Sequence, residues 1–436
     1  MTAETETTVV ASDAASPDAH EPGIFRRTIA SLRSRNFRLF FIGQTISNSG
    51  NWLTMVALTL LVLHRTGSGL AVGLLAACQF GPILLLSPWA GVIVDRHDKR
   101  RLLFVTQGAE MAQSFVLAAL AFVPDAPLGA FYATAAVGGS FLAFDNPVRR
   151  SFVNEMVPAE DVPNAVTVYS AMVNISRIVG PAIAGVLVVT VGFGWCFTVD
   201  AISYVAVIVS LAMMRTSELR RLPTTPRGKG QVRAGIKYVL EVPDLWVTFA
   251  MLLMIGTISY NFSVVLPLLV EQALGGSDAA YTLVYSSFSV GALVGAFAVA
   301  RRQRITIRTV ASGAAILGAT MLILGIVPTV ALAVVAGAAV GGGSVAYMTA
   351  TTSIAQLRTA PHMIGRVLAL QTVLLIGTTP IGGLLLGSLS DAAGARVPVL
   401  VGGVAALAAA AFGLIADRRP GWEPPEFYDD EVASSA

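Results

Sequence analysis

A chain of 436 residues that is 55% apolar and only 13% charged, with a mean hydropathy of +0.71, cannot fold as a water-soluble globule. It would expose more apolar surface than water tolerates, which excludes soluble enzymes, nucleic-acid-binding proteins and disordered chains. The formal charge of +3 is small, so its placement matters more than its size.

Residues 1–24 hold Glu4, Glu6, Asp13, Asp18 and Glu21 and no Lys or Arg, and read as a disordered cytosolic tail. Lacking a basic start and an apolar stretch, they are no signal peptide. Apolar runs of spanning length follow near 38–63, 69–94, 102–123, 128–147, 165–190 and 195–214. After a basic segment, 215–244, they resume near 245–270, 280–300, 309–327, 329–352, 364–388 and 394–416. The expected organisation is a bundle at 25–214, a basic cytosolic linker at 215–244, a bundle at 245–417 and an acidic tail at 418–436. Continuous apolar runs without period-two alternation read as helices and exclude a barrel. In the linker, Val232, Ile236, Val239 and Leu240 have helical spacing, which suits an interfacial helix as well as a solvated connector.

Arg and Lys set the orientation. With both tails inside, 26 of the 29 basic residues fall in inside segments. Only Arg65 and Arg396 lie outside, and Arg177 lies within a span. One missed or extra helix would invert every later loop. Three lysines against 26 arginines, with abundant Ala and Gly, read as a GC-rich bacterial gene. The expected location is therefore the bacterial cytoplasmic membrane, with both termini cytosolic.

The chain also repeats weakly at an offset of about 200 residues, as expected for two parallel six-helix pseudo-repeats. Gly91 and its basic loop match Gly295 and Arg301; Pro158 matches Pro361; Gly180–Gly185 matches Gly377–Gly383.

Between spans two and three stand Gly91, Asp95, Arg96, Lys99, Arg100 and Arg101. Any inside loop carries such charge, but Gly-x-x-x-Asp-Arg with trailing Arg resembles the signature of the major facilitator superfamily. Asp98 departs from the usual glycine there, and Val299 and Ala300 replace the acid in the second half. The resemblance implies the major facilitator fold. It also implies that Asp95, beside Gly91, Arg96 and Arg100, latches the cytosolic side, with Arg149 or Arg150 as partner.

Gly180, Pro181 and Gly185 in span five distort a helix and allow close packing. They also resemble the Gly-Pro motif of facilitator-type proton antiporters that export drugs, with Ser176 and Ala184 in place of two glycines. Asp145, Asn146, Pro147, Arg149, Arg150 and Glu155, with Asn36 and Phe37 before span one and Trp195 opening span six, resemble a subgroup that includes bacterial macrolide efflux pumps and the enterobactin exporter. The resemblance covers roughly residues 30–417.

Gln44, Asn48, Asn51 and Thr54 lie on one face of span one, so that face meets protein or a water-filled cavity rather than lipid. Thr257, Tyr260 and Asn261 in span seven and Ser344 and Tyr347 in span ten are further candidates, because spans one, four, seven and ten line the cavity in this superfamily. Interhelical hydrogen bonding explains any one of them equally well. Arg177, deep in span five, needs an anion. Glu110 or Asp145 is the expected partner, either to couple proton entry to export or as a structural ion pair.

No phosphate-binding Gly-x4-Gly-Lys loop, catalytic triad or metal-ligand pattern is present; Cys78 and Cys196 are isolated, and His20, His64, His97 and His362 are scattered. The expectation is a monomeric, non-enzymatic secondary exporter without cofactors. Its partners are a small amphipathic substrate (drug, macrolide-like or siderophore-like), protons and membrane lipid, with no nucleic acid. A nutrient symporter and a non-transporting receptor are the alternatives.

Overall fold

The computed structural model describes residues 30–220, 231–300, 305–360 and 363–417. The expected tails at 1–24 and 418–436, residues 221–230 of the linker, Pro361 and the Arg301–Arg304 segment lie outside the described residues.

Among the described residues every regular element is helical, and twelve helices are long and apolar enough to span a membrane. The first six helices are Arg35–Thr66, Gly69–Arg96, Lys99–Phe122, Leu128–Met156, Val162–Thr190 and Phe193–Ala212. Spans seven to twelve occupy Pro243–Ala273, Asp278–Ala300, Ile307–Ile326, Val330–Leu357, Ile364–Ala393 and Arg396–Asp417. Large apolar side chains such as Leu85, Trp89, Val186, Val294, Val335 and Ile415 point outward, as an apolar solvent requires.

Local chemistry explains where these helices begin and bend. Asp98, at the position where a glycine is usual, caps span three: its carboxylate accepts from the Arg101 N–H at 3.0 Å. Span four runs nine residues past Pro147, where the sequence suggested its end. A proline costs an interior helix a hydrogen bond, but neighbouring spans hold the helix together here. Span seven breaks between Ile258 and Phe262 and ends in a π turn, Leu269–Ala273. Span eleven breaks at Gly377 and Thr378.

Within the first half, span one packs on five and six, two on four, and three on four and six. Within the second, span eight packs on ten, nine on ten and twelve, and seven on eleven and twelve. The halves meet through span two against eleven, five against eight, and the outer piece of seven against one and two.

Two glycine pairs fix the register of the repeat. Gly180 leaves no room for a Cβ against the Ser49 carbonyl and Trp52 of span one, and Gly382 leaves none against the Thr257 carbonyl of span seven. Gly185 abuts Thr282 of span eight, and Gly387 abuts Gly69 of span two. The structural mates of Gly180 and Gly185 are thus Gly382 and Gly387. The match to Gly377 and Gly383 drawn from residue type is a few residues out, because small residues recur often enough along span eleven to align in more than one way.

The linker forms a helix, Gln231–Glu241, on the second half. Gly235 faces Arg366 and Leu370, and the Tyr238 hydroxyl accepts from the Ala360 N–H at 3.0 Å. Ile236 and Leu240 stay exposed, as an interfacial helix would leave them.

Candidate functional site

Buried charge concentrates in the interior of the first half. Arg149, in the stretch of span four beyond Pro147, pairs with Asp145 one turn earlier on the same helix. Its Nη2 lies 3.5 Å from Glu110 Oε2 of span three, and its Nη1 donates to Asn48 Oδ1 of span one at 3.5 Å. Arg149, Asp145 and Glu110 are each at most 3% exposed. A cation so placed requires paired acids and saturated hydrogen bonds.

The two acids differ in how fully they are satisfied. Asp145 Oδ1 accepts from Thr106 at 2.7 Å and from Gln107 at 2.9 Å, while Oδ2 takes Arg149. Glu110 Oε2 accepts from Gln107 at 3.1 Å and faces Arg149, but its buried Oε1 has no hydrogen-bond partner. Asp200 of span six is buried as well. Its Oδ2 accepts from Thr54 at 2.8 Å and Ser114 at 2.7 Å, and its Oδ1 is unpartnered. Among the described residues no cation pairs with Asp200. One guanidinium therefore serves two of the three buried carboxyl groups, and Asp200 has hydroxyl partners.

This corrects the expected ion pair. Glu110 and Asp145 are held by Arg149, not by Arg177. Three spans bring these groups together, and depth along each helix alone could not choose between the two arginines. Arg149 is likewise turned inward rather than toward the membrane-edge loop, which leaves Arg150, exposed, as the candidate there. Gly91 and Asp95 lie on span two, but their side-chain environment falls outside the described residues. Arg96 is exposed. Arg100 donates to the Leu211 carbonyl at 2.8 Å, fastening span three to the end of span six within the first half.

The polar face of span one meets protein along most of its length. Asn48 and Thr54 hydrogen-bond into the acid network, to Arg149 and Asp200. Gln44 is fully buried with neither amide atom bonded, and Asn51 is partly exposed. In span seven, Tyr260 and Asn261 fall in the break. The Asn261 amide donates to the Thr257 carbonyl at 2.7 Å, satisfying backbone that the break leaves open. The Thr257 hydroxyl donates to its own helix at Leu253, and the Tyr260 hydroxyl to the Ser344 carbonyl of span ten.

A row of rings crosses the interface between the halves. Trp52 of span one lies 6.5 Å from Tyr285 of span eight, centroid to centroid, and Tyr285 lies 6.1 Å from Phe288. Phe288 stands 4.7 Å from Phe262, which stands 5.6 Å from Tyr260, and Tyr260 lies 6.3 Å from Tyr347. The Arg177 guanidinium sits 4.8 Å over Trp52, while Ser289 of span eight donates to the Arg177 carbonyl at 3.3 Å. Sequence reading named Tyr260 and Tyr347 but not the row, whose members lie in four different spans.

Among the described residues, a cluster of bonds joins the halves at the end opposite the basic loops. The Asp391 carboxylate of span eleven accepts from Ser68, Gly69 and Leu70 at the start of span two. His64 Nε2 lies 2.8 Å from Asp278 and 3.7 Å from Glu271 across the same seam, and Gln272 donates to the Gly67 carbonyl at 2.9 Å. At the basic end, residues 221–230, 301–304 and 361–362 and the Asp95 side chain fall outside the described residues.

A family model described as transmembrane secretion effector matches residues 26–428. The staphyloferrin A transporter of Staphylococcus aureus (strain NCTC 8325 / PS 47) is 26% identical over 262 residues, 59% of this chain and 65% of that transporter, just under two thirds of its length. The macrolide efflux protein A of Streptococcus pyogenes is 23% identical over 380 residues, 84% of this chain and 92% of that protein. The inward-facing, unoccupied crystal structure of a bacterial homologue of the human lysosomal transporter Spinster matches with a TM-score of 0.70 at 15% identity, covering 88% of this chain and 97% of that one. That likeness concerns the fold.

Proposed function

This chain belongs to the transmembrane secretion effectors of the major facilitator superfamily, multi-pass membrane transporters rather than enzymes, and we propose that it exports an amphipathic small molecule in exchange for protons. The observation that carries the reading is the fastening of the two halves at the end opposite the basic loops. Asp391 and His64 tie the halves together there. Two bundles held in this way around a polar and aromatic centre suit alternating access by rocking.

By the distribution of Arg and Lys, the basic end is cytosolic and the chain lies in the bacterial cytoplasmic membrane with both termini inside. With the far end fastened, the conformation suits taking substrate from the cytosol. In the opposite state the Asp95 loop, with Arg96 and Arg150, would close the basic end. The Gly-Pro motif supports export: Gly180 and Gly185 seat span five against spans one and eight, the joint about which the halves would turn.

Proton coupling is assigned to Glu110. Asp145 has both oxygens committed to Arg149, Thr106 and Gln107, so a proton there would displace existing bonds. Glu110 keeps one buried oxygen, Oε1, outside its bonds to Gln107 and Arg149, and that oxygen can take a proton. Asp200 is the second candidate. Proton and substrate would bias the same equilibrium through their different affinities for its two states. The transporter is expected to work as a monomer.

In everted vesicles holding a proton gradient, read with a pH-sensitive dye, the true substrate should release protons from the wild type and not from Glu110→Gln. A substrate panel of drugs and siderophores that binds but never moves protons would reduce the protein to a receptor. Proton movement in the same direction as the substrate would make it a symporter.

A further inference from the structure

We propose that Arg177 and the aromatic row beside it form the substrate site, and that the substrate carries an anionic group, a carboxylate or comparable oxyanion, attached to an aromatic body. This rests on the transporter reading and narrows it to a chemical class.

Two arginines lie deep in the described spans, and they differ in company. Arg149 is neutralised by Asp145 and Glu110. Arg177, near the middle of span five, has no ion pair among the described residues, and its buried Nε has no hydrogen-bond partner. Its guanidinium lies over the face of Trp52 at 4.8 Å. A ring face attracts a cation but leaves the planar fork of N–H donors unused. An uncompensated guanidinium at this depth is costly and marks a site whose counter-charge comes from elsewhere. Because the fork matches a carboxylate or phosphate edge in bidentate fashion, the complement is an oxyanion.

The position is central. Arg177 is on a helix of the first half, and its carbonyl accepts from Ser289 of the second. From Trp52 the row of rings runs through Tyr285, Phe288 and Phe262, which are buried where the halves meet, to Tyr260; Trp52, beside the cation, and Tyr260 are partly exposed. An aromatic body stacked at the partly exposed Trp52 end of the row would put its anionic group on the guanidinium. Arg177 is partly exposed, so the fork can be reached. Export of a monoanion against one entering proton would also move net positive charge inward, in the direction an inside-negative membrane potential favours.

The test uses the full-length protein in lipid nanodiscs with two fluorescent probes that share an aromatic body, dansylphenylalanine and its methyl ester. Wild-type protein should bind the acid about tenfold more tightly than the ester. Arg177→Gln should bind both with the weak affinity of the ester, and Arg177→Lys should keep part of the preference. Equal binding of acid and ester by the wild type, an undiminished preference in Arg177→Gln, or no binding of either probe overturns the proposal. The wild-type comparison stands even if a variant fails to fold. Probe binding requires no proton movement, so anion selectivity without coupled flux would sink the exchange mechanism and leave this site intact.

Discussion

The carboxylate of Asp391, at the end of span eleven, accepts the backbone N–H of Gly69, the first residue of span two, at 2.6 Å. One half of the protein thereby caps a helix of the other. The Leu70 N–H at 2.9 Å and the Ser68 hydroxyl at 2.7 Å complete the cap. An anion at a helix N-terminus is favoured by both hydrogen bonding and the helix dipole. The cap must break whenever that end opens. With solvent screening, Asp391→Asn should relieve about 1 kcal/mol, shifting the balance toward the open far end about fivefold. Spin labels at Asp125 and Ser277, exposed on the far loops of the two halves, should report a larger long-distance population in the variant.

His64 supports the same closure more weakly. Its ring reaches Asp278 at 2.8 Å and Glu271 at 3.7 Å, but its side chain is 41% exposed. Exposed pairs contribute about 0–1 kcal/mol and fade with salt. His64→Ala should move the same label distance in the same sense as Asp391→Asn, by less, and its effect should shrink at high ionic strength.

Glu110 and Asp145 should respond differently to neutralisation. Asp145→Asn weakens a fully engaged partner of Arg149 and should lower the melting temperature. Arg149→Met, which leaves buried acids without a cation, should cost about 3–5 kcal/mol. Glu110→Gln keeps the Arg149–Asp145 pair and should melt close to wild type. If a proton on Glu110 competes with substrate, wild-type affinity rises with pH as Glu110 deprotonates, and Glu110→Gln abolishes that slope. Binding titrations at several pH values, beside thermal melts, check both statements.

Backbone contact across the repeat offers a stability test. A methyl at Gly180 or Gly382 would run into a carbonyl of span one or span seven, whereas Gly108 faces open space. Gly180→Ala and Gly382→Ala should each cost about 1–3 kcal/mol and impair transport, while Gly108→Ala should be silent. Equal melting temperatures for all three would contradict the packing.

The spans were legible because each needs a long apolar run, and their parity followed from Arg and Lys. The signature position Asp98 looked like a defect in sequence and is a helix cap in the structure. What stayed hidden depends on which helices touch. Arg149 and Arg177 are both deep basic residues, and only the meeting of spans one, three and four shows that the first takes Glu110 and Asp145. The break at Tyr260 and Asn261 carries no proline, so nothing local announced it. Asp391 and Gly69 lie in opposite halves of the chain, and no short-range pattern could join them.

The most direct measurement follows both ends of the molecule at once. Spin labels at Asp125 and Ser277 report the far end, and a second pair at Glu160 and Gln356 reports the basic end, in full-length protein lacking Cys78 and Cys196. Across a pH titration in nanodiscs the two distances should change in opposite senses, and Glu110→Gln should hold both fixed. Distances that lengthen together, or that ignore pH in wild-type protein still able to export, would contradict rocking driven by a proton on Glu110.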